Sequence, residues 1–294
     1  MIGLFGSNGL VGSHVDFADF KFNRESCDLH NLDKVTECIS ENNIDTIVNC
    51  AAYQKNYKTM SQNQADHFQQ NTSINLNVYK AGQLCEVKKI ISISSVNAIQ
   101  RVDIRTEDDL WKNEPRDFCY AESHKNRVLH ILSKLYYEQY GIKCITPLLS
   151  NTYGLNIKKR NNGVIPILID KFMESIKNKT DVKLTGDGEA LRDFVYAKDV
   201  NRILNLLVLD DFPYVNPFII SSGECVSIKE IVEIIIDHLN YKGNVIWSGD
   251  KNRETDTKIC SNELFKSYFP NFKFTSIEDG VKETINYFME NENV

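Results

Sequence analysis

The chain of 294 residues is 42% hydrophobic and 25% charged, a balance that suits a folded protein with a real core and excludes disorder or a fibrous repeat. Its formal net charge of −6 lacks the basic excess that binding a nucleic-acid backbone needs, so no nucleic-acid partner is expected; a local basic pocket for a phosphorylated small molecule remains compatible. The longest apolar runs are too short to span a bilayer, and Met1 leads almost directly into a strand with no signal peptide in front. Eight cysteines, Cys27, Cys38, Cys50, Cys85, Cys119, Cys144, Cys225 and Cys260, include no C-x-x-C pair. They read as reduced core residues, and the expectation is a cytoplasmic protein off the membrane.

Ile2 to Phe5 is an apolar run followed at once by Gly6-Ser7-Asn8-Gly9-Leu10-Val11-Gly12, the pattern of strand, turn and helix start. That helix must be brief, because Phe20-Lys21-Phe22-Asn23 already reads as a second strand. Leu32 to Asn42 has helical spacing, and Thr46 to Ala52 is a third strand running into small residues. A long polar helix covers Gln64 to Cys85. Lys89 to Ser95 is a fourth strand, Tyr120 to Tyr140 a helix stopped by Gly141, and Cys144 to Leu149 the next strand. Strands alternating with helices predict an α/β fold, a Rossmann-type doubly wound parallel sheet, with ligands at the carboxyl ends of its strands. Gly6, Ala51, Ser95 and Asn151 all fall there. Beyond Tyr153 the texture changes to polar loops and short helices, with a strongly apolar amphipathic helix at Ile228 to Leu239. A dinucleotide-binding domain is expected over 1–153, with 194–222 returning to it. A smaller C-terminal α/β substrate domain is expected over 154–193 and 223–294.

Gly6-x-x-Gly9-x-x-Gly12 differs by one residue from G-x-G-x-x-G but meets the same demand. Glycines allow a tight turn and close approach of the backbone to a pyrophosphate, and a helix N-terminus adds N–H groups and dipole. Gly6, Ser7, Asn8, Gly9, Leu10, Val11 and Gly12 are therefore the expected seat of NADP(H) or NAD(H). The acidic residue that would accept from the ribose 2′-OH of NAD is missing after the second strand, where Asn23 and Arg24 stand. Arg24 either meets a 2′-phosphate, which favours NADPH, or is a solvated loop charge. Asp28 and Leu29 suit the adenine ring and its amino group, and Ala51 and Ala52 are assigned to the same cofactor site.

Ser95 ends the fourth strand, and Tyr120 opens a helix 25 residues later. A tyrosine of lowered pKa can act as acid or base toward a carbonyl or hydroxyl, and a serine hydroxyl can hold the same oxygen. The lysine that would supply positive charge four residues on is His124 here. Lys125 is one further, rotated by about 100° around the helix.

These features, with Asn49-Cys50-Ala51-Ala52, Tyr120-Ala121-Glu122-Ser123, Asn151-Thr152-Tyr153-Gly154 and the run Gly186 to Tyr196, stand in an order that resembles the extended short-chain dehydrogenase/reductases. That family comprises nucleotide-sugar epimerases, dehydratases and reductases, and the resemblance covers nearly the whole chain. Val164-Ile165-Pro166 and Tyr241-Lys242-Gly243-Asn244-Val245 are similar to its branch acting on GDP-linked 4-keto-6-deoxy sugars.

The resemblance implies that Tyr120 is the acid/base for hydride transfer at the sugar C4, that Ser95 orients the same oxygen, and that Tyr120 and His124 also touch the cofactor. It implies a substrate set of Ser95, Asn97, Asn151, Arg192 and Lys258, with Arg192 on the nucleotide diphosphate; Lys251 and Arg253 compete with Lys258 for a second diphosphate contact. Asn71 either supports the backbone behind the site or is a plain polar surface residue. The implied partners are a nucleotide-diphosphate sugar, GDP-linked, and a second copy in a homodimer. Tyr136-Tyr137 then lie in a four-helix bundle between copies or in the core of one. No metal site is expected.

Three departures sharpen this. His124 in place of the lysine predicts slow hydride transfer or a rate that depends on pH near neutrality. Members that also epimerise C3 and C5 use a cysteine and a histidine where Asn97 and Gly163 stand here, so a 4-keto reductase without epimerisation is expected. Ile99-Gln100 replace a Tyr-Gly pair lining the sugar pocket, which allows a different sugar. The alternatives are a 4-epimerase or 4-dehydrogenase with tightly held NAD, and a catalytically impaired cofactor-binding protein. His67, His130 and His238 read as structural or surface residues, and His14 as a cap or surface residue near the phosphates.

Overall fold

The computed structural model describes residues 1–54, 57–100, 102–115, 119–156, 163–209, 217–249 and 259–291. Lys251, Arg253 and Lys258 lie outside these, and their assignment is not addressed by the structure.

Five short strands form one parallel sheet in the order Phe20–Phe22, Ile2–Phe5, Thr46–Asn49, Lys89–Ser92 and Lys143–Ile145. Alternation sends successive side chains to opposite faces. Leu4, Val48, Ile91 and Ile145 are paired in register across one face, while Ile47, Ile90 and Cys144 are paired across the other. The second face is covered by the helices Leu32–Glu41, Gln64–Leu84 and Tyr120–Tyr140, which pack Val35, Ile39, Val78 and Leu129 onto it. The first face is covered by the helix Ala197–Leu209, through Val200, Ile203, Leu204 and Leu207, and by an aromatic group around Phe265. Both faces are thus buried, as a parallel sheet requires.

The chain between the first two strands is too short for a crossover helix, and only the single turn Gly12–His14 forms there. The helix dipole expected behind the glycines is therefore minor, and the turn's own N–H groups must carry anion binding. The fourth and fifth strands are also not continuous. Both jog together, and Ser94–Ser95 pairs with Leu148–Leu149 in a second small sheet. Pro147 sits at the jog; it has no N–H to continue a ladder, and its carbonyl accepts from Ser94 N at 2.8 Å.

The remaining strands build a second layer. Leu191–Tyr196 runs parallel to Asn151–Tyr153 and antiparallel to Cys225–Ser227, and Val182–Leu184 pairs with Val245–Trp247. Its core gathers Ile165, Ile169 and Phe172 from Val164–Asn178, Ile231 and Ile235 from Ile228–Leu239, and Val281, Ile285 and Phe288 from Ile277–Glu290. Ile228–Leu239 begins at a capping box in which the Ser227 hydroxyl accepts from Glu230 N at 3.1 Å, a device worth about 1 kcal/mol. All eight cysteines are free, and no described helix is long and apolar enough to cross a membrane.

Candidate functional site

A cavity of about 1070 Å³ opens along the carboxyl ends of the strands. Its wall follows the order of the sheet: Asn23, Arg24 and Asp28 after the edge strand, Gly6 and Asn8 to Val11 after the first, Cys50 to Gln54 after the third, then Ile93 and Asn97 after the fourth. The sheet order reverses between the first and third strands, the place where such folds bind their ligands.

Two glycines of the turn are sterically required. Gly6 has φ +84°, and a Cβ there would lie 2.6 Å from the Ala51 backbone. A Cβ on Gly12 would lie 2.2 Å from the Gly6 carbonyl oxygen. Gly6 N and Ser7 N both donate to Phe22 O, at 2.9 and 3.0 Å, and Gly9 N donates to Gly6 O at 3.0 Å. The N–H groups of Asn8, Leu10 and Val11 have no acceptor among the described residues, and all three residues line the cavity. A close-packed turn with spare donors fits a pyrophosphate.

Two residues that sequence reasoning did not assign brace this turn. The buried Asn156 directs its amide at Gly9 O and Ser13 Oγ, both at 3.2 Å. His14 accepts from Leu155 N through Nε2 at 3.2 Å, so its Nδ1 carries the proton and donates to Leu10 O at 2.8 Å. Burial lowers the His14 pKa, which keeps this ring neutral. It is a staple between the turn and the loop after Tyr153 rather than a surface cap.

At the edge strand, Asn23 spends its side chain on the loop, accepting from Glu25 N at 2.8 Å and Ser26 N at 3.1 Å. Arg24 is exposed on the cavity wall, with no acidic partner among the described residues. Asp28 accepts from His30 N at 3.1 Å, and Leu29 packs into the core beside it. Ala51 N is held by Asn49 Oδ1 at 3.1 Å, which ends the third strand before the alanines. Ala51 and Ala52 both line the cavity.

At the other end stand the expected catalytic residues. Ser95 is half-buried, and its Oγ accepts from Asn97 N at 3.2 Å. Tyr120 is 46% exposed. Its ring lies against His124 with centroids 4.1 Å apart, and His124 Nε2 turns to the exposed Glu114 at 3.2 Å. Lys125 is no substitute for the expected lysine, because it faces inward to Glu122 Oε1 at 3.3 Å.

The inward face of this helix holds a charged cluster instead. Glu122 lines the cavity and receives His67 Nε2 at 2.7 Å and Asn126 Nδ2 at 3.1 Å, besides Lys125. Burial opposes its ionisation, yet Lys125, His67 and Asn126 together hold its carboxyl down at about 2. Behind it, Asn71 donates to Tyr53 O at 3.0 Å and lies 3.4 Å from His67 Nδ1. Asn71 thus braces the wall at Tyr53, and His67 is a buried member of the cluster. Gln64 accepts from Ala121 N at 3.0 Å, which pins the first turn of the helix in this register. The sequence signal was present in Glu122, Lys125 and Asn126 at helical spacing, but only packing shows that this polar stripe faces inward.

On the substrate side, Asn97, Thr152 and Gly163 line the cavity. Asn151 gives its amide to Asp193 O at 2.8 Å, and Arg192 is buried next to Asp193 in the strand Leu191–Tyr196. Burial pushes the Asp193 carboxyl up to about 6, against the hydroxyls of Ser221, Ser150 and Ser222. His130 is buried against Ser94 Oγ at 3.1 Å, and His238 bonds Asn286 at 2.7 Å. Tyr136 packs edge-on against Tyr79 at 5.3 Å, whereas Tyr137 is exposed.

The NAD dependent epimerase/dehydratase family matches residues 7–213. A GDP-L-fucose synthase from Dictyostelium discoideum is 27% identical, over 97% of this chain and 94% of its own. A GDP-L-fucose synthetase from Naegleria fowleri, solved with NADP bound, superposes with a TM-score of 0.89 at 24% identity, over 100% of this chain and 95% of its own. The NADP-bound GDP-mannoheptose C4 reductase of Campylobacter jejuni does so with a TM-score of 0.85 at 21% identity, over 98% of each chain. At these identities the solved structures speak for the fold.

Proposed function

The chain belongs to the NAD dependent epimerase/dehydratase family, and on that premise we propose that it reduces the C4 keto group of a GDP-linked 4-keto-6-deoxy sugar without epimerising C3 or C5. It is an NAD(P)-dependent nucleotide-sugar enzyme of the extended short-chain dehydrogenase type. The observation that carries the finer reading is the side chains at the sugar end of the cavity. Asn97 and Gly163 stand there, and neither can shuttle a proton, while the Glu122 carboxylate is already engaged by three donors.

When bound, the reduced dinucleotide supplies the hydride. The chain's part is to hold it and to handle the sugar oxygen. The free N–H groups of Asn8, Leu10 and Val11 receive the pyrophosphate, Asp28 and Leu29 the adenine, and Arg24 a 2′-phosphate, which favours NADPH. In this reading Ser95 holds the C4 oxygen, Asn151 and Arg192 contact the nucleotide sugar, and Tyr120 gives the oxygen a proton. His124 in place of the family lysine, stacked on Tyr120 and turned to Glu114, favours a second reading, an enzyme of impaired turnover that chiefly holds its cofactor. The exposed Leu76, Ile131 and Leu135 on the helices Gln64–Leu84 and Tyr120–Tyr140 offer an apolar face for the proposed homodimer.

The test is turnover of the purified chain with NADPH and a GDP-4-keto-6-deoxy sugar in D2O. NADPH consumed in step with product, and no deuterium at C3 or C5, is the expected outcome. Deuterium at either carbon overturns the absence of epimerisation. Sugar interconversion without net cofactor use identifies a 4-epimerase, and tight NADPH binding without product identifies the impaired form.

A further inference from the structure

We propose that Arg127 is a positioning residue: its guanidinium ties the turn that carries Ser95 and Asn97 to the helix that Tyr120 opens, and so fixes where the sugar oxygen is held. The inference rests on the nucleotide-sugar reading above and is independent of turnover. Tyr120, His124 and Arg127 are spaced i, i+4, i+7 and fall on one stripe of the Tyr120–Tyr140 helix. Two turns along that stripe the Arg127 side chain is buried. Its Nε donates to Ala98 O and its Nη2 to Asn113 O, each at 2.9 Å. His124 meets the neighbouring Glu114 at 3.2 Å, so the segment at 113–114 is held from two successive turns of the stripe. Among the described residues no carboxylate forms an ion pair with Arg127, and its printed bonds are to loop carbonyls. Burying a guanidinium in that way is costly; what the chain gains is a fixed junction.

The junction bears directly on Ser95. One turn further along the helix, His130 Nε2 lies 3.1 Å from Ser94 Oγ. The helix thus grips Ser94 and Ala98, on either side of Ser95 and Asn97. Between those points the chain is a single 3-10 turn, Val96–Ala98, whose apolar side is buried with Leu110 and Leu148. Its carbonyl side is held by Arg127. Asn97 N donates to Ser95 Oγ at 3.2 Å, so the placing of the turn sets the direction of the serine hydroxyl and leaves its proton for a substrate oxygen. Asn97 itself lines the cavity. The planar fork of arginine reaches two carbonyls from separate loops at once; an ammonium on a flexible stem would hold them with less definition. A turn fixed before the sugar arrives lowers the ordering cost of binding.

Titration calorimetry with GDP-mannose, GDP and NADPH tests this. GDP-mannose brings a sugar ring with a C4 oxygen, and GDP brings none. The proteins are wild type, Arg127→Gln, Arg127→Lys, Ser95→Ala and the double variant Ser95→Ala/Arg127→Lys. Arg127→Lys keeps the buried charge and gives up the fork, so it remains informative where Arg127→Gln folds poorly. Loosening the turn predicts GDP-mannose binding weaker by about five- to tenfold in both Arg127 variants and in Ser95→Ala, with GDP and NADPH within about twofold of wild type. In the double variant the loss falls short of the product of the two single losses, because Arg127 acts through Ser95. GDP-mannose binding unaltered in Arg127→Lys and Arg127→Gln overturns the proposal. So does an equal loss of all three ligands, which marks a structural role, or single losses that multiply in the double variant. A wild type that binds GDP-mannose no more tightly than GDP also overturns it, whereas one that binds neither overturns the nucleotide-sugar reading itself.

Discussion

Gly12→Ala puts the glycine turn under the most direct strain. The new Cβ would lie 2.2 Å from Gly6 O, 2.9 Å from Gly6 C and 3.2 Å from Ser7 Cα. The obstacle is backbone on every side, so no side chain can swing away. The Gly6 carbonyl must retreat by roughly 1 Å to reach an ordinary contact. It is not free to do so, because it accepts Gly9 N at 3.0 Å while Gly6 N and Ser7 N are tied to Phe22 O. Overpacking of this kind costs about 1–3 kcal/mol, and one broken turn hydrogen bond adds about 1 kcal/mol. A total near 2–4 kcal/mol is expected, read as a lowered urea midpoint at unchanged m. NADPH affinity falls with it, because Asn8, Leu10 and Val11 ride on the displaced turn. Gly141→Ala is the control: φ there is +69°, but nothing lies within 4 Å of the added Cβ, so about 1 kcal/mol of backbone cost and no loss of NADPH affinity are expected. A Gly12→Ala protein with wild-type midpoint and affinity would refute the steric argument.

Arg24→Ala should weaken NADPH by about ten- to a hundredfold and leave NADH unchanged; calorimetry showing equal effects on both removes the 2′-phosphate assignment. Asn156→Ala deletes the buried amide shared by Gly9 O and Ser13 Oγ and should cost about 1–3 kcal/mol, together with some NADPH affinity, in a denaturation series run with and without cofactor. His130, whose pKa burial pushes down to about 3, stays neutral in the fold while the unfolded chain protonates near 6.5. Its contribution is therefore complete above 6.5 and is lost on acidification at about 1.4 kcal/mol per pH unit. Asp193, raised to about 6 from 3.8, has the opposite sign: its contribution is present below 3.8 and lost as pH rises through about 6. The stability difference between wild type and His130→Gln, followed from pH 7.5 to 4.5 by urea midpoints, isolates the histidine. A difference that does not change with pH contradicts the buried neutral ring.

Much of the fold was legible because period and punctuation are local. The apolar run of Ile2–Phe5, the strand Thr46–Asn49 running into small residues, the helix stop at Gly141 and the amphipathic spacing of Ile228–Leu239 all act through neighbours in sequence. The sheet's jog at Ile93 and Pro147 was not legible, since it depends on two strands shifting together. The glycine turn was read correctly as a tight turn, but its dipole was overstated, because the length of the helix behind it depends on where the second strand must pair.

By itself the sequence determined the parallel α/β layout, the dinucleotide turn and the missing acid at Asn23-Arg24. All follow from residue type and short spacing, which no packing can alter. Only the tertiary structure decided which polar stripe of the Tyr120–Tyr140 helix is buried and with which partners. Tyr120 with His124 and Glu122 with Asn126 are equally good i, i+4 pairs on paper. Which of them is buried belongs to His67 and Gln64 on another helix, where a buried carboxylate found its partners, while Tyr120 stays solvent-accessible.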